Sequence, residues 1–312
     1  MGHTRESEIL AMTRDDVIAA FNSIRVWQHG DRRAVHKPLL VLLALSRVNV
    51  ATPQTMDWNE AEPLLKSLLE EFGPDGSSNT RHYPFWHLQT DGLWRLDGPD
   101  EIVNRQPSAT PTLTELRQNH VRGGFSTPIY TALKADVELI SIVAQRIVDA
   151  HFPESIRGDV LDAVGLTPSE GVGSAKDPQR RRDPAFRAKV LLAYQYRCAV
   201  CGHDLRLGQQ SIGLEAAHIK WFQANGPDEV PNGIAMCSLH HKVFDLGAFK
   251  ILPETYQMVF SQHLNGSEMA SNRMLAYHGS GMILPQAQEY RPHPDNLDWH
   301  ARQVFKSPAR VG

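Results

Sequence analysis

Cys198-Ala-Val-Cys201, Leu214-Glu215-Ala-Ala-His218-Ile219, Asn232-Gly233-Ile234 and Cys237-Ser-Leu-His240-His241 followed by Phe244-Asp245 form the stretch whose reading decides the fold. Two metal chemistries are interleaved in it. Cys-x2-Cys and Cys-x2-His supply Cys198, Cys201, Cys237 and His240, a soft and borderline donor set suited to tetrahedral Zn2+. The chain has 3 cysteines and this one set uses all of them. The alternatives are small buried residues or a disulfide, and an odd count without a signal peptide speaks against disulfides. Four protein ligands leave no position for water, so such a zinc clamps the fold and does not catalyse. Outside that set the same stretch carries His218, Asn232 and His241, in that order.

Working outward, residues 212–219 read as an apolar strand, a Gly/Pro/Asp loop leads to Asn232-Gly233-Ile234, and 238–246 begins a helix. Strand, loop, strand, helix is the ββα-metal arrangement. With Glu-Ala-Ala-His-Ile, Asn-Gly-Ile and His-His-x-x-Phe-Asp in this order, the segment resembles an HNH nuclease of the McrA-like restriction branch over about residues 181–305. Arg291-Pro-His-Pro-Asp-Asn-Leu-Asp-Trp299-His300 also fits that family.

The resemblance implies roles position by position. His218 would be the general base, since an imidazole titrates near neutrality. Asn232 would orient that imidazole through a hydrogen bond. His241 would bind catalytic Mg2+ or Mn2+ at the scissile phosphate. Asp245, four residues on along the same helix face, is a candidate second ligand. Many such nucleases carry Asp or His directly before the base, where this chain has Ala217. Glu215 is the candidate substitute, although in a regular strand it shares a face with Ala217 and not with His218. His240 and His241 differ in helical direction by about 100°, so one can face the zinc and the other the reacting centre.

At 312 residues, with 41% hydrophobic and 21% charged, the chain is an ordinary soluble composition with room for two domains. No run approaches the roughly 20 apolar residues of a bilayer crossing, and no apolar signal core opens the chain. Cysteines dedicated to a metal point to a reducing, cytoplasmic setting. A net charge of −3 is unusual for a DNA binder, but charge is local: Arg25, Arg32, Arg33, His36 and Lys37 cluster near the N-terminus, and Arg180-Arg-Arg182 with Arg187 and Lys189 leads into the nuclease segment. Acidic residues gather around Glu60, Glu62, Glu70, Glu71 and Asp75.

Residues 166–180, rich in Gly, Ser and Pro, read as a linker between a domain at 1–165 and one at 181–312. In the first, Thr13-Arg-Asp-Asp16 caps a helix through Asn22 and Pro38 opens an apolar helix ending near Val48. Residues 61–72 read as an amphipathic helix, 83–96 as two strands around Thr90-Asp91-Gly92, and 133–150 as one long helix. Arg32 to Pro38, Arg81-His82-Tyr83-Pro84-Phe85-Trp86-His87 and Arg122-Gly123-Gly124-Phe125 are unusual in composition. Singly, an aromatic strand is most often core, a basic helix start most often a solvated face.

In this order before an HNH nuclease they are similar to the sulfur-binding domain of phosphorothioation-dependent McrA-type restriction endonucleases, over roughly residues 10–165. His-Lys-Pro-Leu-Leu, Tyr-Pro-Phe-Trp-His-Leu and Arg-Gly-Gly-Phe carry the resemblance. It implies an apolar wall from Tyr83 and Pro84 against a soft, poorly hydrated sulfur, with His87 in the same motif. Arg33, His36, Lys37 and Arg122 would hold the flanking phosphates, and Gly123 and Gly124 would let the backbone approach closely.

The fold class expected is α+β: a mixed helical and β sulfur-binding-type domain before a zinc-stabilised ββα-metal domain. The partner expected is duplex DNA carrying phosphorothioate links, cut near the mark by a nuclease on a flexible tether. One active site per chain suggests a homodimer or sequential nicking. Two other readings compete: an HNH nuclease for a methylated base, caged by Tyr83, Phe85 and Trp86, and a non-catalytic zinc-stabilised DNA-binding protein.

Overall fold

Thr13 accepts a hydrogen bond from the Asp16 backbone, and the Asp16 side chain answers the Thr13 N–H, so a capping box starts the first helix. A computed structural model describes residues 12–26, 33, 35–49, 52–166 and 183–311. Most of the 166–180 linker, Arg32 and Arg180 to Arg182 lie outside the described residues.

The N-terminal half contains α1 (Arg14–Asn22), α2 (His36–Asn49), β1 (Thr55–Asp57), α3 (Trp58–Phe72), α4 (His82–His87), β2 (Trp94–Asp97), α5 (Asp100–Val103), α6 (Leu113–Gln118), β3 (Arg122–Phe125), α7 (Thr127–Ala135), α8 (Val137–His151) and α9 (Arg157–Ala163). Leu39, Leu40, Val41, Leu42 and Leu45 of α2 are fully buried, so this helix is apolar on every side and forms the centre of the half. The same half holds a small antiparallel sheet in the order β1-β3-β2.

Two expectations fail here for local reasons. Residues 83–96 are not a hairpin: α4, a 3-10 turn over Leu88–Asp91 and β2 occupy them. Pro84 falls in the first turn of α4, where a missing N–H costs nothing, and Phe85 and Trp86 both enter the core. The long helix expected over 133–150 breaks at Asp136, whose extended backbone ends α7 and whose carboxylate caps α8 by accepting from Leu139 N at 3.0 Å.

The C-terminal half runs α10 (Phe186–Ala193), β4 (Arg206–Leu207), β5 (Gln210–Ser211), β6 (Leu214–His218), β7 (Gly233–Cys237), α11 (Ser238–Asp245), β8 (Phe249–Ile251), β9 (Met258–Phe260), α12 (Glu268–Leu275) and α13 (Pro294–Gln303). β6 and β7 pair antiparallel, with His218 opposite Gly233 and Glu215 opposite Met236. This is the strand, loop, strand, helix order read from the sequence. Among the described residues no helix is long and apolar enough to cross a membrane.

The halves are docked against each other. Trp221, Trp299 and Val304 of the C-terminal half belong to the N-terminal core cluster. Lys306 Nζ donates to the carbonyls of Glu70 (2.9 Å) and Gly73 (2.7 Å), Ser307 N donates to Asp75 (3.0 Å), and Lys242 pairs with Asp159 at 2.8 Å. The nuclease-like half is therefore not simply tethered.

His300, at this junction, is 1% exposed and stacks on Phe244 with ring centroids 3.7 Å apart, while Nε2–H donates to the Phe244 carbonyl at 3.0 Å. Burial pushes its pKa down to about 4. Because the folded value lies below the unfolded one, its contribution is complete above about pH 6.5 and is lost as pH falls towards 4, by roughly 3 kcal/mol. Urea unfolding at pH 7 and pH 4.5 should show that loss, and His300→Gln, which keeps a donor for Phe244, should flatten it. An unchanged pH slope in the variant would refute the assignment.

Candidate functional site

Cys198 and Cys201 sit on a turn that hydrogen-bonds to β7 through Ala199 N and the Ala235 carbonyl at 2.7 Å. Cys237 caps α11 and His240 lies in its first turn. The ligand atoms of Cys198, Cys201, Cys237 and His240 all fall within 4.8 Å of one another. His240 Nδ1 is 3.1 Å from Cys237 Sγ and 3.7 Å from Cys198 Sγ, around the roughly 3.6 Å that tetrahedral Zn–S and Zn–N bonds imply. Donor set and spacing fit a structural zinc. His240 faces this cluster and His241 turns away from it, as expected.

His241 lies between two carboxylates. Its Nδ1 is 2.6 Å from Glu215 Oε2 and its Nε2 is 3.1 Å from Asp245 Oδ2. Burial lowers the imidazole pKa, but the charge and hydrogen bonds of Asp245 and Glu215 outweigh it and push the value up to about 10. Glu215 is in turn held well below the usual carboxylate range, first by the His241 hydrogen bond. Ser238 Oγ–H donates to Glu215 Oε1 at 2.7 Å, and the Glu215 side chain is 43% exposed. β6 is regular, so the face of Glu215 is the face that meets α11.

Asp245 corrects an expectation. It was expected to bind the same ion as His241, yet it is buried and occupied: Oδ1 accepts from Trp221 Nε1 at 2.9 Å, and Oδ2 accepts from Ser155 Oγ and faces His241 Nε2. Glu215 and Asp245 sit on opposite nitrogens of one ring, so a single ion cannot take both together with His241. Among the described residues the Cys3His set alone forms a group of three or more metal-ligand atoms. Nδ1 and Glu215 thus form one pair on the ring, and Nε2 and Asp245 the other.

His218 ends β6 with its ring stacked on Phe186, centroids 4.1 Å apart and planes at 17°. Space for Phe186 comes from Gly233, whose added Cβ would lie 3.0 Å from the Phe186 ring and 2.4 Å from Val190. His218 Nε2 is 2.7 Å from Asp228 Oδ1, and Asp228 Oδ2 accepts from Asp183 N at 2.7 Å. Asn232 was expected to orient this imidazole. It is fully buried and instead staples the loop between β6 and β7, exchanging hydrogen bonds with Lys220 N and O and donating to the Pro227 carbonyl. That staple holds the loop that carries Asp228, whose carboxylate meets the His218 ring. No sequence motif marks Asp228; its only signal is an acid in the Asn225-Gly-Pro-Asp228 stretch.

In the N-terminal half the candidate surface centres on Tyr83. Its ring is 47% exposed and meets His82 and His87 edge to face, at centroid distances of 4.6 and 6.0 Å. Burial first, then nearby cations, lowers the pKa values of His82 and His87. His36 Nε2 lies 2.9 Å from the Ser77 carbonyl and 3.1 Å from Thr80 Oγ1, and burial lowers its pKa too. His87 Nε2 is 3.0 Å from Thr110 Oγ1.

Other expected contacts are corrected. Pro84 is buried in α4 and offers no exposed wall. Lys37 Nζ is paired with buried Asp91 at 2.5 Å. Gly123 and Gly124 are buried in β3; a Cβ on the first would lie 2.6 Å from Trp94 and 2.7 Å from Phe85, and on the second 2.0 Å from the Gln54 carbonyl. Packing explains both glycines. Arg122 is exposed and donates to the Thr55 carbonyl at 2.7 Å. Phe85 and Trp86 are fully buried, which removes the cage for a methylated base.

Arg33 is displaced furthest from its expected place. Its backbone N and Nη1 donate to Gln303 Oε1 (2.9 Å) and the Gln303 carbonyl (3.1 Å), Nη2 donates to the Phe72 carbonyl, and the guanidinium lies 3.9 Å over the Trp221 ring. It clamps the two halves together, its charged end spent on these partners.

Comparison with known families matches residues 14–169 to the ScoMcrA-like, DNA sulfur-binding domain and residues 198–251 to an HNH endonuclease family. The solved sulfur binding domain of ScoMcrA complexed with phosphorothioated DNA is 22% identical, with 47% of this chain and 96% of that one covered and a TM-score of 0.42. The corresponding SprMcrA domain, also complexed with phosphorothioated DNA, is 19% identical, with coverage of 50% and 95% and a TM-score of 0.42. The Type IV phosphorothioation-dependent restriction endonuclease ScoMcrA is 22% identical, with coverage of 49% and 31% and a TM-score of 0.40. No curated protein matches the chain. Since residues 14–169 make up half of it, the chain belongs to the ScoMcrA-like DNA sulfur-binding domain family, and it carries an HNH endonuclease domain behind that half.

Proposed function

We propose that this protein is a restriction endonuclease that recognises phosphorothioated DNA with residues 1–165 and hydrolyses a phosphodiester bond near the mark with residues 181–312. Family membership supports the recognition step, and the ScoMcrA and SprMcrA domains that were solved with phosphorothioated DNA supply the ligand class. The hydrolysis step rests on two carboxylate-bound imidazoles within one HNH domain, the Glu215–His241–Asp245 chain and the His218–Asp228 pair.

His218 acts as general base. Asp228 accepts from Nε2–H and so favours the tautomer whose Nδ1 carries the lone pair that a base needs. Asn232 holds the loop that carries Asp228. Glu215 and the Nδ1 of His241 offer the oxygen and nitrogen donors that suit Mg2+ or Mn2+. Such an ion would supply positive charge against the scissile phosphate and the leaving oxygen. Asp245 accepts from Nε2–H and so keeps Nδ1 available. Zn2+ on Cys198, Cys201, Cys237 and His240 would hold α11 against the turn before β4 and thereby place His241.

A sulfur in place of a phosphate oxygen is larger and less hydrated. An exposed phenol ring between two imidazoles held neutral by burial is a surface that asks little desolvation of it, whereas an oxygen there would lose water without adequate replacement. His36 and Arg122 remain the donors proposed for adjacent phosphates.

His218→Ala should lower cleavage of a phosphorothioated duplex by about a hundredfold or more, with binding of that duplex unchanged; normal cutting would refute the base. Asp228→Asn should give a smaller loss of the same kind, and a wild-type rate would leave the orienting role empty. For the recognition half, Tyr83→Ala should bring the affinity ratio between phosphorothioated and plain duplex close to one, measured by gel shift at fixed salt. A ratio equal to that of the unaltered protein would remove the Tyr83 surface from the reading. Metal analysis of purified protein should find one zinc per chain, and Cys198→Ser should lose it together with several degrees of melting temperature. Zinc-free protein that melts normally would overturn the clamp.

A further inference from the structure

Ser155 comes from the N-terminal half, in the 3-10 turn Glu154–Ile156 between α8 and α9. Its hydroxyl nevertheless donates to Oδ2 of Asp245 in α11, the oxygen that also faces His241 Nε2. Trp221, in the loop after His218, donates to the other oxygen at 2.9 Å. The two donors fix the carboxylate plane, and the carboxylate fixes which nitrogen of His241 points to Glu215. A chain of hydrogen bonds thus starts in the N-terminal half and ends at the Glu215–His241 pair of the C-terminal half.

We propose that Ser155 is a positioning residue for the nuclease site, supplied by the recognition half: with Trp221 it sets Asp245 so that His241 presents Nδ1 beside Glu215 as a divalent-metal site. This rests on the metal reading of Glu215 and His241 above. A carboxylate released from Ser155 can rotate about its terminal torsion, and His241 then loses its fixed tautomer. Outer partners of metal-bound histidines change affinity by about tenfold to a hundredfold when removed; Ser155 stands one bond further out, so its effect falls below that range or at its lower edge.

The test is Mn2+ binding, followed by the loss of the free-ion electron paramagnetic resonance signal, on full-length protein whose Cys3His site is saturated with Zn2+. Ser155→Ala should weaken Mn2+ binding about threefold to tenfold, Ser155→Thr should restore it, and the affinity for phosphorothioated duplex should stay the same. In an Asp245→Asn background, Ser155→Ala should add nothing, because the serine acts through the carboxylate. If Ser155→Ala binds Mn2+ like the unaltered protein, or its effect adds fully to that of Asp245→Asn, the positioning role is overturned and the metal reading stands. If Glu215→Gln and the unaltered protein bind Mn2+ equally, the metal reading and the positioning role both fall.

Discussion

The Asp245 carboxylate is the constraint around which the two halves are organised. A buried charge has to be met by donors or it destabilises the fold by several kcal/mol. Its three donors come from three places: Ser155 in the N-terminal half, Trp221 in the loop after β6, and His241 on the same helix. The carboxylate is satisfied only when all three segments are assembled. The other face of Trp221 carries the Arg33 guanidinium, so the indole serves the carboxylate through its N–H and the N-terminal half through its ring. Breaking the docked arrangement would expose Trp221, Trp299 and Val304 while leaving Asp245 and Arg33 short of partners.

Legibility in the sequence followed how local the chemistry is. Cys198, Cys201, Cys237 and His240 could be assigned because tetrahedral zinc demands specific residue types at short, fixed spacings, and the structure brings those four together. The β6–loop–β7–α11 order was readable because Gly and Pro punctuate it, and the Thr13 cap because a capping box is written in four residues. Residues 83–96 mislead because aromatic residues favour strands, whereas tertiary burial of Phe85 and Trp86 selects a helix. The break at Asp136 was missed because the apolar pattern runs on across it; only the Asp136 cap marks the boundary.

Charged residues were the harder case, since a cation in a sequence reads as a surface group looking for an anion. Arg33 finds Gln303 at the far end of the chain and the Phe72 carbonyl, and Lys37 finds Asp91. No spacing rule links those partners. The same limit hid Asp228. Asn232 was recognised from its motif, but its three hydrogen bonds go to the loop and not to His218, so its influence on the imidazole passes through a residue that no motif marks.

Docking changes what the domain order means for the proposed reaction. A nuclease on a free Gly/Ser/Pro tether samples a volume, and its cuts would scatter at an effective concentration set by linker length. Two halves that share a buried tryptophan pair, an Arg33 clamp and the Asp245 carboxylate hold one separation between Tyr83 and the Glu215–His241 pair. The distance from mark to cut then belongs to the protein geometry and not to the linker. Lengthening the 166–180 segment leaves that geometry intact for as long as the interface holds, because the interface and not the segment sets the span.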